Sequence, residues 1–224
     1  MSRFVGLITA AGSGVRLGRG EPKAAARLSG RPLLAWTLDA FASLELDRIV
    51  VTAPPDRVAE FAGLVEGRAS VVPGGETRSA SVRLGVEALG PAADDVVAVH
   101  DAARPFVHEE EIRAVLRAAE KSGAAIAAIP VADTIKEAAG GRIVRTLDRS
   151  RLWAAATPQA FRGEILARAL ASGRDATDEA SLCEDLGIPV EVVPVSRLGF
   201  KITTPEDFEI AEAIVQARHR SRRG

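Results

Sequence analysis

Cysteine is almost absent from this chain. One residue, Cys183, in 224 cannot form an internal disulfide, and it fits a reducing compartment. Histidine is scarce as well: His100, His108 and His219 stand far apart, and with a single cysteine they make no zinc pattern. There is no excess of charge of one sign. A formal net charge of -1 argues against a general nucleic-acid or membrane-surface binder. No apolar run approaches the roughly 18 residues of a membrane span. Met1-Ser2-Arg3 leads straight into an apolar stretch, so no signal peptide is expected. No Gly-x-Ser-x-Gly elbow exists for a serine hydrolase, because Gly12-Ser13-Gly14 has the wrong spacing. No internal repeat or low-complexity linker is present. What remains is a chain with 47% hydrophobic residues, enough for a large core and too many for disorder. A cytoplasmic location is the expectation.

Apolar runs alternate with amphipathic stretches. Strands are expected at Phe4–Ile8, Arg48–Thr52, Ala69–Pro73, Val96–His100, Ala124–Val131 and Val190–Val195. Helices are expected at Pro55–Leu64, Thr77–Leu89, His108–Lys121, Arg162–Leu170 and Asp178–Leu186, the last capped by Thr177. A further helix opens at Thr204-Pro205-Glu206-Asp207 and runs to about Arg218, with a basic tail read as a solvated helix end. Strict alternation implies an α/β fold with a mostly parallel sheet covered on both faces. One domain, residues 1–224, is expected, with an insertion at about 133–150. There the rhythm breaks: Thr134–Glu137 and Arg142–Leu147 flank Gly140-Gly141, a hairpin signal. A lone two-stranded hairpin is marginal in water. Ile135, Ile143, Val144 and Leu147 therefore need cover, either from a second subunit, the expectation here, or from the hairpin folding back on its own domain.

Four groups fall where the strands of an open α/β sheet end and ligands bind. The first is the loop Ala10-Ala11-Gly12-Ser13-Gly14-Val15-Arg16-Leu17-Gly18, followed by Pro22-Lys23. Small residues let the backbone approach an anion and turn N–H groups toward it. Arg16 and Lys23 add fixed positive charge. The spacing fits neither a dinucleotide fingerprint nor a Walker A loop, and a surface loop with incidental cations is the plain alternative. The second group is Gly74-Gly75-Glu76-Thr77-Arg78 with Ser81, whose glycines admit a flat base that Ser81 can hydrogen-bond. The third is Asp101 with Arg104, able to meet a hydroxyl or metal-bound phosphate, or simply to pair with each other. The fourth is Lys201, close before a helix N-terminus, where anions collect.

Taken in order, these motifs resemble the 2-C-methyl-D-erythritol 4-phosphate cytidylyltransferase family over nearly the whole length. The likeness continues in Val99–Pro105, Asp133-Thr134-Ile135-Lys136, Asp148-Arg149, Leu152-Trp153, Thr157-Pro158-Gln159, Thr177–Ser181 and Lys201-Ile202-Thr203. The resemblance implies a Rossmann-like sheet and a protruding β-arm through which a homodimer forms. It implies transfer of cytidylyl from CTP to methylerythritol phosphate with Mg²⁺, the metal held mainly by phosphates and not by direct protein ligands. Arg16 and Lys23 would stabilise the transition state, while Arg149 and Lys201 would hold the attacking phosphate. Ala10, Ala11, Gly12, Gly14, Gly75, Glu76 and Ser81 would frame the nucleotide. Asp101, Arg104, Thr134 and Thr177 would contact the sugar-alcohol phosphate or the metal shell, with Thr134 and Arg149 reaching the neighbour's site. No nucleic-acid or membrane partner is implied. Three positions depart from the family's usual pattern: Ala24-Ala25-Ala26 after Pro22-Lys23, Glu76 beside the second glycine, and Gly199 two residues before Lys201.

The residues agree with that chemistry. A phosphate monoester nucleophile has its second pKa at about 6 and is largely dianionic at neutral pH, so no general base is needed. The task left to the protein is to bring anions together and neutralise the transition state. A cytidylyltransferase for another polyol phosphate, such as ribitol 5-phosphate, and a silent nucleotide-binding protein are the competing readings.

Overall fold

The computed structural model describes residues 2–12 and 21–221. Period-two patterning sets the sheet. In β1 (Phe4–Thr9), Val5 and Leu7 enter one core and Ile8 the opposite one. The two-residue strands β2 (Arg27–Leu28) and β3 (Arg31–Pro32) make a small ribbon leading into α1 (Leu33–Ala42). Next come β4 (Arg48–Ala53), α2 (Val58–Val65), β5 (Ser70–Pro73), α3 (Arg78–Leu89) and β6 (Val96–Asp101). They are followed by α4 (Glu109–Ser122), β7 (Ala124–Pro130), β8 (Lys136–Ala139), β9 (Arg142–Thr146), β10 (Trp153–Arg162), α5 (Gly163–Leu170), α6 (Glu179–Asp185), β11 (Glu191–Pro194) and α7 (Pro205–Ser221).

Seven strands form the main sheet in the order β11-β7-β10-β6-β1-β4-β5. Pairing is parallel except at β10, which lies antiparallel between β6 and β7. Strict alternation therefore fails at β10. Its register shifts between Ala155 and Gln159, around Pro158, whose missing N–H cannot serve a ladder. Leu34, Phe41, Phe61, Ile112 and Leu116, from α1, α2 and α4, pack on the sheet face that carries Ile8, Val51 and Ala98. Val82, Leu89, Leu166, Ala169 and Leu182, from α3, α5 and α6, cover the face that carries Val5, Leu7 and Val99. Each fully buried Leu or Phe contributes roughly 1.5–3 kcal/mol. A third cluster, with Leu28, Leu33, Phe106, Ile202 and Phe208, docks α7 beside the β2–β3 ribbon.

The expected helix over 55–64 is a 3₁₀ turn, Pro55–Arg57, and then α2. Glu111 accepts a hydrogen bond from the His108 backbone at the start of α4, and Gly123 ends that helix at φ +94°. Asp178, not Thr177, caps α6: its carboxylate accepts from Ser181 N at 3.2 Å. The last helix continues past Arg218 to Ser221.

Among the described residues β8 and β9 pair only with each other, through Gly140 (φ +56°) and Gly141 (φ +74°), the two left-handed residues that a tight hairpin turn demands. Every residue of both strands is exposed, Ile143 at 67% and Val144 at 60%. Ile135 and Leu147 are half-buried. The hairpin does not fold back to cover Ile143 or Val144.

Candidate active site

β1 and β6 lie side by side, with Thr9 opposite Asp101. From β1 the chain crosses to β4 and β5 on one side and returns to β6 on the other. The order reverses at that point, and the crevice lies there, beyond the strand ends. A cavity of ≈ 460 Å³ fills it. Its wall holds Thr9, Ala10, Ala11 and Gly12 after β1, Lys23 and Ala24 from the turn beyond, Gly75 to Arg78 with Ser81, Asp101 to Ala103, and Lys201.

The glycines after β5 are forced by proximity. A Cβ on Gly74 would lie 2.5 Å from the Ala11 Cβ, and one on Gly75 would lie 2.5 Å from the Ala80 Cβ. Ser81 is nearly buried, and its hydroxyl is tied to this turn: it accepts from Gly75 N at 3.1 Å and donates to Thr77 O at 3.0 Å. It shapes the loop at the cavity wall. Thr77 caps α3 by accepting from Ala80 N.

Charge converges on Asp101, which is 7% exposed. Lys201 Nζ lies 2.7 Å from its Oδ2. Arg78 Nε is 3.5 Å from Oδ1, which also accepts from the Thr9 hydroxyl at 3.2 Å. Arg104 Nε stands 3.9 Å from Oδ2. Burial would raise the Asp101 carboxyl, but Lys201, Arg78 and Arg104 outweigh it and hold it well below the usual carboxylate range. Arg78 is the residue whose role the sequence did not disclose. It makes two bonds to Glu179, 2.6 and 3.0 Å, across the start of α6. A cation in the first turn of a helix opposes the helix dipole, so Arg78 at the first position of α3 signalled a carboxylate partner.

Beneath Asp101, His100 is fully buried, and burial pushes its imidazole down to about 4. Its polar neighbours suit the neutral ring. Asp101 N donates to Thr157 Oγ1, and that hydroxyl lies 3.1 Å from His100 Nδ1. His100 Nε2 lies 3.3 Å from the Arg104 carbonyl. With the proton on Nε2, every donor in this run of hydrogen bonds meets an acceptor. The ring supports the strand end and has no exposed nitrogen for proton transfer. Cys183 is buried too, its thiol pushed up to about 11, which disqualifies it as a nucleophile.

Of the expected site residues, Ala10, Ala11, Gly12, Lys23, Gly75, Glu76, Ser81, Asp101 and Lys201 line the one cavity. Gly14 and Arg16 lie outside the described residues. Arg104 turns away from the wall: its guanidinium donates to Gly199 O at 3.0 Å, tying the approach to Lys201 onto the end of β6. Its link to Asp101 is thus a side contact and not a simple local pair. Thr177 is exposed and is not part of the wall. Thr134 and Arg149 are exposed at the base of the hairpin, where Arg149 donates to the Ala132 carbonyl. They do not reach this chain's own cavity. Among the described residues no three His, Cys, Asp or Glu side chains gather to hold a metal, and no helix is long and apolar enough to cross a membrane.

Residues 4–217 match the family model described as 2-C-methyl-D-erythritol 4-phosphate cytidylyltransferase. The chain belongs to this family. A relative of that name from Streptomyces avermitilis is 43% identical over 97% of this chain and 93% of its own length. The crystal structure of the Thermus thermophilus cytidylyltransferase superposes with a TM-score of 0.79 at 36% identity, over 96% of this chain and 100% of that one. The 4-diphosphocytidyl-2C-methyl-D-erythritol synthase of Anaerococcus prevotii gives 0.85 at 29% identity, over 96% of each.

Two departures from the cytidylyltransferase pattern have a local account. Ala24 and Ala25 pack into the core that holds Leu34 and Phe41, and Ala26 into the cluster with Leu28, so small side chains fill this layer. A Cβ on Gly199 would meet nothing within 4 Å, and the glycine contributes its carbonyl to Arg104 and its N–H to the Ser196 carbonyl, backbone groups that any residue but proline would supply.

Proposed function

We propose that this protein transfers the cytidylyl group of CTP to 2-C-methyl-D-erythritol 4-phosphate. A phosphate oxygen of the acceptor attacks the α-phosphorus of CTP. The bond from that phosphorus to the bridging oxygen of the β-phosphate breaks, pyrophosphate leaves, and the cytidine diphosphate ester of methylerythritol forms. The observation that carries this reading is the cavity at the β1–β6 crevice. It joins a wall of small residues, Ala10 to Gly12 with Gly75, to cations from separate stretches of chain, Lys23, Arg78 and Lys201.

The small-residue wall and Glu76 frame cytosine and ribose. Lys23 faces the triphosphate, with Arg16 as its companion on the loop. Lys201 holds the acceptor phosphate, and losing one such cation removes on the order of 10²–10³ in rate. No general base is required, in keeping with an inaccessible His100. The donor set suits a Mg²⁺ ion bound largely through phosphate oxygens, since both oxygens of Asp101 are already engaged by Lys201 and Arg78. When bound, such an ion neutralises charge on the transferring phosphates.

The exposed Ile143 and Val144 support a homodimer in which each hairpin lies on the partner and brings Thr134 and Arg149 to its cavity. The single free cysteine, Cys183, suits the reducing cytoplasm, where we place the protein.

The reading is tested by following pyrophosphate release from each of the four nucleoside triphosphates, with methylerythritol phosphate and with ribitol 5-phosphate as acceptors. CTP with methylerythritol phosphate should turn over fastest, and Lys201→Ala should fall at least about 100-fold. Faster turnover with ribitol 5-phosphate, or an unimpaired Lys201→Ala enzyme, overturns it.

A further inference from the structure

Glu179 is a carboxylate that the cytidylyl transfer does not use. It is 1% exposed, and the hydrogen bonds of its side chain among the described residues go to Arg78. Its backbone is clamped. Gln159 of β10, equally buried, accepts from both Glu179 N and Ala180 N at 3.2 Å and donates to Asp178 Oδ2 at 2.9 Å. One residue along from Arg78, the Ser79 hydroxyl donates to the Ala176 carbonyl at 3.1 Å and accepts from Ala176 N at 2.9 Å. The start of α3 and the segment entering α6 are thereby joined by two independent ties, with the ion pair as the second.

What this rigidity serves is visible on the other side of Arg78. The guanidinium faces Asp101 Oδ1, while Lys201 takes Oδ2. A carboxylate with one oxygen held by a fixed cation and the Thr9 hydroxyl cannot rotate, so its second oxygen marks one place for an ammonium. Lys201 needs such a mark. It is 37% exposed on a four-carbon stem, and without a partner its rotamers would spread into solvent. The balance of charge also depends on Glu179. Two carboxylates against Arg78, Arg104 and Lys201 leave one positive charge. Without Glu179, Arg78 would be released to compete with Lys201 for Asp101.

We propose that Glu179 is a positioning residue for the acceptor phosphate, holding Arg78 so that Asp101 presents Lys201 in one place. This inference rests on the proposed role of Lys201 in holding that phosphate.

The test is steady-state kinetics of Glu179→Gln in the full-length enzyme, with each substrate varied in turn. The expected result is a rise of about tenfold in KM for the acceptor, the scale of one charge-assisted contact, with KM for CTP within about twofold. In a Lys201→Ala background the same substitution should add less than about twofold, because the two act through one contact. Equal changes in both KM values, or full additivity with Lys201→Ala, would show a merely structural role and overturn the proposal. Should Glu179→Gln not fold, Arg78→Gln decides by the same criteria, since Glu179 can then be buried as the neutral acid. If wild type is active and Lys201→Ala is impaired while Glu179→Gln and Arg78→Gln behave as wild type, this inference alone fails. An unimpaired Lys201→Ala enzyme removes the reading beneath it.

Discussion

Gly74 and Ala11 touch across the mouth of the cavity: a Cβ on the glycine would sit 2.5 Å from the alanine's, and 2.9 Å from the Ser81 hydroxyl. Two loops from different strands thus meet at one side of the cavity. Gly74→Ala must push the Ala10–Gly12 segment outward or displace Ser81. The expected cost is about 1–3 kcal/mol of stability from overpacking, with KM for CTP rising about tenfold. Urea unfolding and CTP titration of the rate check both. Gly63→Ala is the control: it lies in α2 with open space around it and should stabilise by about 0.5–1 kcal/mol.

Much of this was legible in the chain because period-two apolar runs, glycines and capping acids act locally. Phe4–Ile8, Val96–His100 and Gly140-Gly141 declared themselves in that way. The short β2–β3 ribbon, α1 and β10 did not. α1 buries Leu33, Leu34, Ala35, Thr37, Leu38 and Phe41, leaving little polar stripe to reveal a period, and its N-terminus has no side-chain cap. β10 contains Pro158 and many alanines, so nothing local announces a strand; it is made by its two neighbours, β6 and β7. In the site, the cavity-lining cations Lys23 and Lys201 were readable from their loops. Arg78 with Glu179 was not, since the partners lie 101 residues apart and only the fold joins them.

The shared-site dimer predicts complementation. Arg149→Ala spoils the arm, and Lys23→Ala spoils the cavity. Each variant alone should be nearly inactive. Mixed in equal amounts and allowed to exchange subunits, they form mixed dimers with one intact site, which restores about a quarter of wild-type activity. Light scattering should report dimers throughout, and Ile143→Lys with Val144→Lys should give inactive monomers. A mixture that stays silent while dimers persist would refute the exchange of arms.

The rate should fall with acid for a reason lying in the substrate. Asp101 is held well below the carboxylate range by Lys201, Arg78 and Arg104, and His100 titrates near 4, so neither changes charge between pH 5 and 9. The acceptor phosphate does, with a second pKa of about 6. Activity against acceptor should therefore decline below about pH 6 with unit slope. A phosphonate acceptor, whose second pKa is higher, should move that limb upward. A limb that stays fixed when the acceptor is changed would point to a group on the protein.

Stability should depend on pH through His100. Its folded pKa of about 4 lies below the ordinary 6.5 because the ring is buried, with the charges of Arg104 and Lys201 adding to the shift against the opposing pull of Asp101 and the Arg104 carbonyl. Between those values the unfolded chain binds the proton and the folded one does not. Stability is therefore fully present above pH 6.5 and is lost as pH falls toward 4. At about 1.4 kcal/mol for each tenfold in proton affinity, the loss is on the order of 3 kcal/mol. Glu179, pushed up by burial against the pull of Arg78, acts in the opposite sense above its ordinary value. The difference between wild type and His100→Gln isolates the histidine. The variant should be less stable at pH 7.5, where it forfeits the bonds to Thr157 and the Arg104 carbonyl, yet lose less on going to pH 4.5. Urea midpoints measured in half-unit steps decide it. Parallel curves for the two proteins would mean that the imidazole takes up its proton equally in both states.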